Sequence, residues 1–208
     1  MKVRVYWLIL LLLMGCAKVR AISDVPEITP GDASFFPTLE ALTDAPIVGG
    51  NKIAVLHNGD ATFPAMLREI KNAKSSITFA QYLFKGGSLA REFALSFAER
   101  CQAGIKVYIL LDSHGSSEAP EEIPAMMSKA GCQLQYFRRI RAPQVVLPWK
   151  LVQYNYRNHR RILVIDGRIG FTGGYGISDA WMGDGRTPDH WRDTNVRSGG
   201  QISASRFH

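Results

Sequence analysis

The chain has 208 residues, of which 46% are hydrophobic and 21% are charged. This composition is typical of a globular protein, and the length suggests a single domain; a disordered tail, a collagen-like fibre and a multi-span membrane protein are excluded. Lys and Arg number 25 against 18 Asp and Glu, and the resulting net charge of +7 favours anionic partners such as phospholipid head groups or nucleic acid.

Residues 1–16 have the pattern of an export signal. Two basic residues precede an apolar run at 5–14, which is too short for a bilayer-spanning helix of roughly 20 residues. The run ends in Leu-Met-Gly-Cys, which resembles a bacterial lipoprotein box and implies lipidation of Cys16. We therefore expect an exported lipoprotein anchored on the periplasmic side of a bacterial membrane. A plain signal peptide or a short membrane-associated helix is the alternative.

Residues 17–50 contain four prolines and end in a glycine pair, with no sustained hydrophobic period. Prolines and glycines without such a period predict an extended linker or an irregular N-terminal arm.

From residue 51 the sequence alternates between strand and helix patterns. The predicted helices cover 60–74, 88–102 and 121–130, and the predicted strands cover 76–84, 105–111, 132–137 and 162–165. Such alternation predicts an α/β fold, with a parallel or mixed sheet flanked by helices. Cys101 lies on an apolar helix stripe and Cys132 opens a strand, so both are expected to be small buried core residues. A bridge between them is the alternative.

The basic charge is concentrated in residues 138–168. This segment holds eight Lys or Arg residues and a single Asp, so its net charge equals that of the whole chain. Aromatic and apolar residues interleave with the basic ones between 145 and 156. That mixture suits a surface that meets lipid head groups or a nucleic-acid backbone, and the composition does not choose between them.

The same segment contains a candidate phosphodiester site. His159 and Arg161 precede a buried strand and share one of its faces, because residues two apart on a strand point the same way. An imidazole can form a phospho-histidine, and a guanidinium can bind two phosphate oxygens. Asp166 and Gly167 form a predicted hairpin turn, and the returning strand ends at Gly173 and Gly174, whose backbone N–H groups could bind phosphate oxygens.

His159, Arg161 and Asp166 match the H-x-K-x4-D motif of the phospholipase D superfamily, and residues 57–197 resemble its bacterial cardiolipin synthase branch. The resemblance implies a phospholipase D-like sandwich and transfer of a phosphatidyl group without metal or other cofactor. It implies that His159 is the nucleophile or acid–base group and that Arg161 binds the substrate phosphate.

The chain departs from this family pattern at two positions, and a third residue fits the pattern but has an alternative explanation. Arg161 replaces the usual Lys, Gly176 stands where an Asn is common, and Asp166 occupies a turn in which Asp is frequent for structural reasons. We therefore prefer Asp193 as the carboxylate that orients His159, while Asp166 remains a candidate from the motif. The rival interpretation of Asp193 is an ion pair with a neighbouring Arg.

Only one motif is present, whereas members of the cardiolipin synthase branch carry two. We expect a single half-domain at 51–197 followed by an atypical tail at 198–208. Three explanations stay open: a truncated and inactive product, which we favour, a half that pairs with its own copy, or one that pairs with another polypeptide.

The expected function is that of a phosphatidyltransferase, with a nuclease, a hydrolytic phospholipase D or a non-catalytic membrane-binding remnant as alternatives. The expected partners are a phosphatidylglycerol-like anionic phospholipid, the membrane surface and a second motif-bearing half. The export signal and the basic–aromatic stretch favour lipid over nucleic acid.

Overall fold

A computed structural model describes residues 27–139 and 156–200 of the protein, which divide into two compact units. One unit comprises residues 1–43 and 140–156, and its described part contains helix α1 (Phe35–Thr43). This helix lies in the segment for which an irregular arm was predicted. Pro37 occupies its first turn, where the missing N–H costs little, so a residue interpreted as a breaker is compatible with the helix. The export signal, Cys16 and the basic–aromatic residues at 140–155 lie outside the described residues.

The other unit, residues 44–139 and 157–208, is built on a seven-stranded mixed sheet. Its strands are β1 (Lys52–His57), β2 (Ser76–Gln81), β3 (Lys106–Asp112), β4 (Gln133–Phe137), β5 (Arg161–Ile165), β6 (Ile169–Gly173) and β7 (Thr194–Gly199). Its helices are α2 (Asn58–Asn72), α3 (Ser88–Gln102) and α4 (Glu122–Lys129), with a short 3-10 turn at Asp179–Trp181. The strand order is β1-β7-β6-β5-β2-β3-β4; the β2–β3 and β3–β4 pairs are parallel, and the other four pairs are antiparallel. The predicted mixed α/β sheet is confirmed.

The hydrophobic core lies between one face of the sheet and helices α2, α3 and α4. Aromatic side chains join the sheet to a helix in this core: Phe79 of β2 packs against Phe93 and Phe97 of α3. These residues have no measurable solvent exposure, and strand residues from β3, β5 and β6 complete the same cluster. Helices α2 and α3 each bury one apolar face against the sheet, as the spacing of their apolar residues predicts.

Cys101 and Cys132 form a disulfide that joins the end of α3 to the residue before β4. Their Cα atoms are 5.4 Å apart, and 31 residues separate them in the sequence. Cys132 is a core residue and Cys101 packs against the core, in line with the expectation, and the bridge that the sequence left open is present. The pairing depends on the approach of α3 to β4, which the spacing of two cysteines along a chain does not reveal.

We expect the double variant Cys101→Ser/Cys132→Ser to lose about 3 kcal/mol of unfolding free energy, because the bridge restricts a long loop in the unfolded chain. Urea denaturation measures this loss. Reduction of the wild-type protein should reproduce it, and Cys16→Ser, which removes the third thiol, should not. An unchanged urea midpoint in the double variant would contradict the prediction.

The antiparallel pairing of β5 brings four chain segments to one end of the sheet. Gln81 at the end of β2 is paired with Arg161 at the start of β5, and Gly173 at the end of β6 is paired with Asn195 in β7. These residues form a row across the sheet. The polar end predicted for the strand after His159 is therefore a shared edge built from several strands.

Candidate active site

His159 lies two residues before the first residue of β5, at this end of the sheet, and is exposed to solvent. Its imidazole stacks on the ring of Tyr82, with ring centroids 3.7 Å apart and planes inclined by 24°. Tyr82 follows β2, and β2 is the neighbour of β5. The exposed imidazole is thus supported on one face by a side chain that the sequence analysis did not select.

Arg161 enters the site from the first position of β5 and is half-buried. Its guanidinium lies 5.9 Å from the centre of the Trp181 ring. Trp181 in turn packs against Trp191, with ring centroids 4.4 Å apart, and Trp191 is 55% exposed. An exposed aromatic surface therefore adjoins the predicted phosphate-binding cation.

Tyr175 connects Arg161 with Asp193 electrostatically. Burial raises the pKa of the Tyr175 phenol far above its usual value, the positive charge of Arg161 lowers it, and the negative charge of Asp193 raises it. Both charges act on one phenol, which places Arg161 and Asp193 in the same region of the site. Among the described residues the Tyr175 hydroxyl has no hydrogen-bond partner.

Asp193 precedes β7 and lies against the glycine pair. Its Oδ1 accepts a hydrogen bond from the Thr194 N–H at 2.8 Å, and a Cβ at Gly174 would collide with the same oxygen. Its Oδ2 is buried without a hydrogen-bond partner in the described part of the chain. Gly174 is therefore needed for the close approach of a carboxylate that retains one unused acceptor.

Gly173 has a related role. A Cβ at this position would collide with the Asn195 side chain, whose amide donates to Thr62 Oγ1 at 3.0 Å and whose Oδ1 accepts the Tyr175 N–H at 3.3 Å. Asn195 thus fixes the backbone next to the glycine pair. Phosphate binding by Gly173 and Gly174 stays a prediction.

Asp166 lies at the opposite end of β5, five residues beyond Arg161 and roughly 17 Å along the strand. It occupies the predicted hairpin turn with Gly167; both residues have positive φ, as the central residues of a type I′ turn require, and the Arg168 N–H closes the turn on the Ile165 C=O at 3.0 Å. Its carboxylate accepts hydrogen bonds from three consecutive backbone N–H groups, at positions 74, 75 and 76, over 2.7–3.0 Å. The structure therefore brings His159, Arg161 and Asp193 to one end of the sheet, and places Asp166 at the other.

Asp166 should make the fold sensitive to acid. Partial burial alone would raise the pKa of this carboxyl, but hydrogen bonds from Ser76, Lys74 and Ser75 outweigh burial and lower it. Because the pKa is lower in the folded protein than the usual value of 3.8, the ionised carboxylate stabilises the fold at pH values above 3.8. This contribution disappears as the pH falls through the pKa of the folded state.

We expect Asp166→Asn to reduce the unfolding free energy at neutral pH by about 1–2 kcal/mol, because charged hydrogen bonds to backbone N–H groups are weakened. Denaturation at several pH values should show the difference from wild type closing below pH 3.8. The exposed Asp189→Asn is the matched control and should change little. A difference in unfolding free energy between Asp166→Asn and the wild type that persists at low pH would contradict a stabilising role of the ionised carboxylate.

The position of Gly176 explains one departure from the family pattern. A Cβ there would lie 2.9 Å from the Trp181 ring and 3.0 Å from the Leu83 side chain. The Trp181 ring therefore occupies the space that a side chain at position 176 would need.

The basic segment is only partly a solvated surface. Arg157 is buried, with 9% of its side chain exposed, and lies 3.7 Å from the carboxylate of Asp112. Arg160 and Arg168 are exposed, whereas Arg141 and Lys150 lie outside the described residues. The charge count did not distinguish the buried cation from the exposed ones.

Residues 27–139 and 156–200 contain neither a metal-binding cluster nor a membrane-spanning helix. No group of three or more His, Cys, Asp or Glu side chains in these ranges is placed to hold a metal ion. No helix there combines the length and apolar character needed to cross a bilayer.

Comparison with known proteins gives consistent results. The family described as "Cardiolipin synthase, PLD-like domain" matches residues 66–184. Cardiolipin synthase A of Pseudomonas fluorescens is 32% identical over 177 residues, covering 83% of this chain and 36% of that protein. Cardiolipin synthase 1 of Bacillus cereus is 33% identical over 147 residues, covering 71% of this chain and 28% of that protein. The chain therefore spans about a third of the length of the curated relatives it matches.

A solved structure shares the fold. The phospholipase D family member Nuc from Salmonella typhimurium superposes with a TM-score of 0.53 at 15% sequence identity. The match covers 73% of this chain and 85% of the solved chain. At this identity the similarity concerns the arrangement of strands and helices.

Proposed function

Because the chain belongs to the cardiolipin synthase, PLD-like domain family, we propose that it supplies one half of an active site that transfers phosphatidyl groups through a phospho-histidine on His159. The observation that carries the proposal is the convergence at one sheet end of an exposed imidazole, a cation and a carboxylate with an unused oxygen. His159, Arg161 and Asp193 are these three groups.

The reaction divides into two displacements. A nitrogen of His159 attacks the phosphorus of a phosphatidylglycerol-like diester, an N–P bond forms, and the P–O bond to one glycerol breaks. The leaving glycerol takes a proton from a general acid. The hydroxyl of a second lipid then attacks the phospho-histidine, returns a proton to that group and releases His159.

Arg161 and Asp193 act on different parts of this sequence. Arg161 binds the phosphate oxygens and offsets their charge in the transition state. Asp193 accepts a hydrogen bond from the second imidazole nitrogen, which fixes the tautomer in which the attacking nitrogen is unprotonated. The hydrogen bonds that Asp166 makes to residues 74–76 support a structural role for it.

The general acid is assigned to a second motif-bearing half. The curated relatives are about three times as long as the stretch they share with this chain. A second motif-bearing half, from a second copy, another polypeptide or a C-terminal half of the same protein, would supply the acid.

The names of the relatives support lipid as the substrate class, since they are cardiolipin synthases. Trp191 is exposed beside Trp181 and Arg161, and tryptophan is favoured where a polar head group meets an apolar surface. The disulfide supports folding in an oxidising compartment. Export and anchoring through Cys16 belong to the same proposal.

The decisive test uses a substrate that needs no general acid. Bis(p-nitrophenyl) phosphate releases p-nitrophenolate without protonation, so this chain alone should give a stoichiometric burst of p-nitrophenolate. It should also retain a phosphoryl group bound to His159 through nitrogen, which is stable in base and labile in acid. Absence of the burst, or a burst that persists in His159→Ala, would overturn the proposal.

The lipid assignment is tested separately. Vesicles of labelled phosphatidylglycerol, analysed by thin-layer chromatography, should yield cardiolipin and glycerol when the second half is present. Phosphatidic acid as the sole product would indicate a hydrolase, and cleavage of DNA without lipid turnover would indicate a nuclease.

A further inference from the structure

A buried carboxylate lies behind the site at the end of β3. Asp112 is 1% exposed, and its Oδ1 accepts hydrogen bonds from the N–H groups of His114 at 2.9 Å and Gly115 at 3.2 Å. Its Oδ2 accepts the N–H of Asn158 at 3.0 Å, and Arg157 pairs with it at 3.7 Å. A buried ion pair is weak support for stability, because desolvation offsets most of its attraction. The arrangement therefore invites an explanation beyond folding.

The first arm of this network holds the backbone of His159. Asn158, directly before His159, is 7% exposed and is held by Asp112 through its N–H. The Asn158 Oδ1 then accepts the N–H of Arg160 at 3.2 Å. The residues on both sides of His159 are thus fixed, and the imidazole projects from a restrained segment.

The second arm holds Tyr82. The Gly115 N–H is bonded to Asp112, and the Gly115 C=O accepts the N–H of Phe84 at 3.2 Å. The Gly115 Cα packs so closely on Tyr82 that an added Cβ would collide with the Tyr82 carbonyl and lie 3.2 Å from its ring. One carboxylate therefore fixes the segment that supports Tyr82 as well as the one that carries His159.

We propose that Asp112 and Tyr82 are positioning residues for His159: Tyr82 sets the plane of the imidazole by stacking, and Asp112 holds both members of the stacked pair. The inference rests on the proposed role of His159 as nucleophile. An exposed histidine otherwise samples several rotamers, and misplacement of a reacting group by about 1 Å can cost about 100-fold in rate. Stacking limits the ring to one plane, in which both nitrogens lie.

The positioning is tested first without any reaction. A nucleus above the face of an aromatic ring is shielded, so in NMR spectra the ring protons of His159 should be shifted upfield relative to the other four histidines. The His159 signal is assigned by its loss in His159→Gln. The shift should persist in Tyr82→Phe, which keeps the ring, and should disappear in Tyr82→Leu.

Tyr108→Leu is the matched control, since Tyr108 is an exposed tyrosine of β3. It should leave the His159 shift unchanged. Gly115→Ala should weaken the shift by displacing Tyr82, and Asp112→Asn should weaken it while keeping one acceptor oxygen. If Asp112→Asn does not fold, the Tyr82 and Gly115 variants still decide the question.

The kinetic consequence is a lower rate of p-nitrophenolate release with little change in KM. Tyr82→Leu should slow the burst by about 10- to 100-fold, whereas Tyr82→Phe should stay within about threefold of wild type. Equal loss in both variants would assign the effect to the hydroxyl and overturn the stacking role. An unshifted His159 signal in the wild type would overturn it as well.

The two proposals can fail separately. If His159→Ala retains the burst while the NMR shift behaves as expected, the nucleophile assignment fails and the stacked geometry stands. If His159→Ala loses the burst but Tyr82→Leu retains its full rate, the nucleophile assignment stands and the positioning role fails.

Discussion

Replacement of His159 by alanine is expected to lower the rate of p-nitrophenolate release by at least about 10,000-fold and to abolish the protein-bound phosphoryl ester. The reason is chemical, because the covalent intermediate is proposed to form on the imidazole of His159 while Arg161 binds the phosphate. Loss of a covalent nucleophile typically reduces turnover to what binding and electrostatics alone sustain. Stopped-flow absorbance measures the release of p-nitrophenolate. The stability of the protein-bound phosphoryl group in acid and in base identifies the covalent intermediate.

The matched control for this variant is His190→Ala. The His190 ring lies 2.9 Å from Thr187 Oγ1, in the loop between the 3-10 turn and β7, and lacks the cation and carboxylate spacing of the motif. This variant should retain the burst of p-nitrophenolate and form the protein-bound phosphoryl group as the wild type does. Because His159 is exposed and makes no hydrogen bond through its ring in the described structure, His159→Ala should unfold at nearly the wild-type urea concentration. An inactive variant that is also strongly destabilised would not fit this prediction.

The sequence predicted the scaffold well where local signals agree with the final packing. Helix α3 has the predicted bounds of 88–102, since its apolar stripe is bounded by Ser88 at the start and by Gly104 shortly after its end. The hairpin at Asp166 and Gly167 follows from a dipeptide whose φ preferences match the turn. Helix α1 was missed because prolines without a sustained hydrophobic period indicate a linker, yet a proline is equally compatible with a first helical turn.

The site was only half predictable, since its parts come from chain segments that meet through the sheet. His159 and Arg161 are two residues apart in the sequence and belong to one motif, so the sequence identifies both. Tyr82 reaches His159 through the pairing of β2 with β5, and nothing in its sequence context marks it. Asp112 gave a weak signal, a lone acid at the end of an apolar strand, which indicates a buried partner without naming Arg157.

The motif also assigned its carboxylate by linear proximity. Asp166 follows Arg161 by five residues, and an extended strand carries it away from the site. Asp193 is 34 positions from His159, yet it returns to the same sheet end because β7 pairs with β6. Asp166 is therefore close to Arg161 in the sequence but lies at the other end of the strand, whereas Asp193 is far from His159 in the sequence but lies at the same end of the sheet.

We expect Asp193→Asn to slow the burst by about 100- to 1,000-fold while changing the unfolding free energy by less than about 1 kcal/mol. The amide keeps the size of the carboxylate and can still accept the Thr194 N–H, but it no longer stabilises a positive imidazole or favours the reactive tautomer. The rate of p-nitrophenolate release and a urea titration of the same preparation give the two quantities.

Asp166→Asn is the internal control, and it should show the reverse pattern, with a lower unfolding free energy and a nearly unchanged burst. The contrast tests the rival interpretation of Asp193 as a simple ion-pair partner. In the described part of the chain Asp193 forms no ion pair, and its Oδ2 is buried without a hydrogen bond, so removal of its charge should not weaken the fold. If Asp193→Asn loses stability and keeps its rate, the carboxylate is structural and the orientation of His159 has another source. If Asp166→Asn loses the burst at full stability, the linear motif assigned the catalytic carboxylate correctly after all.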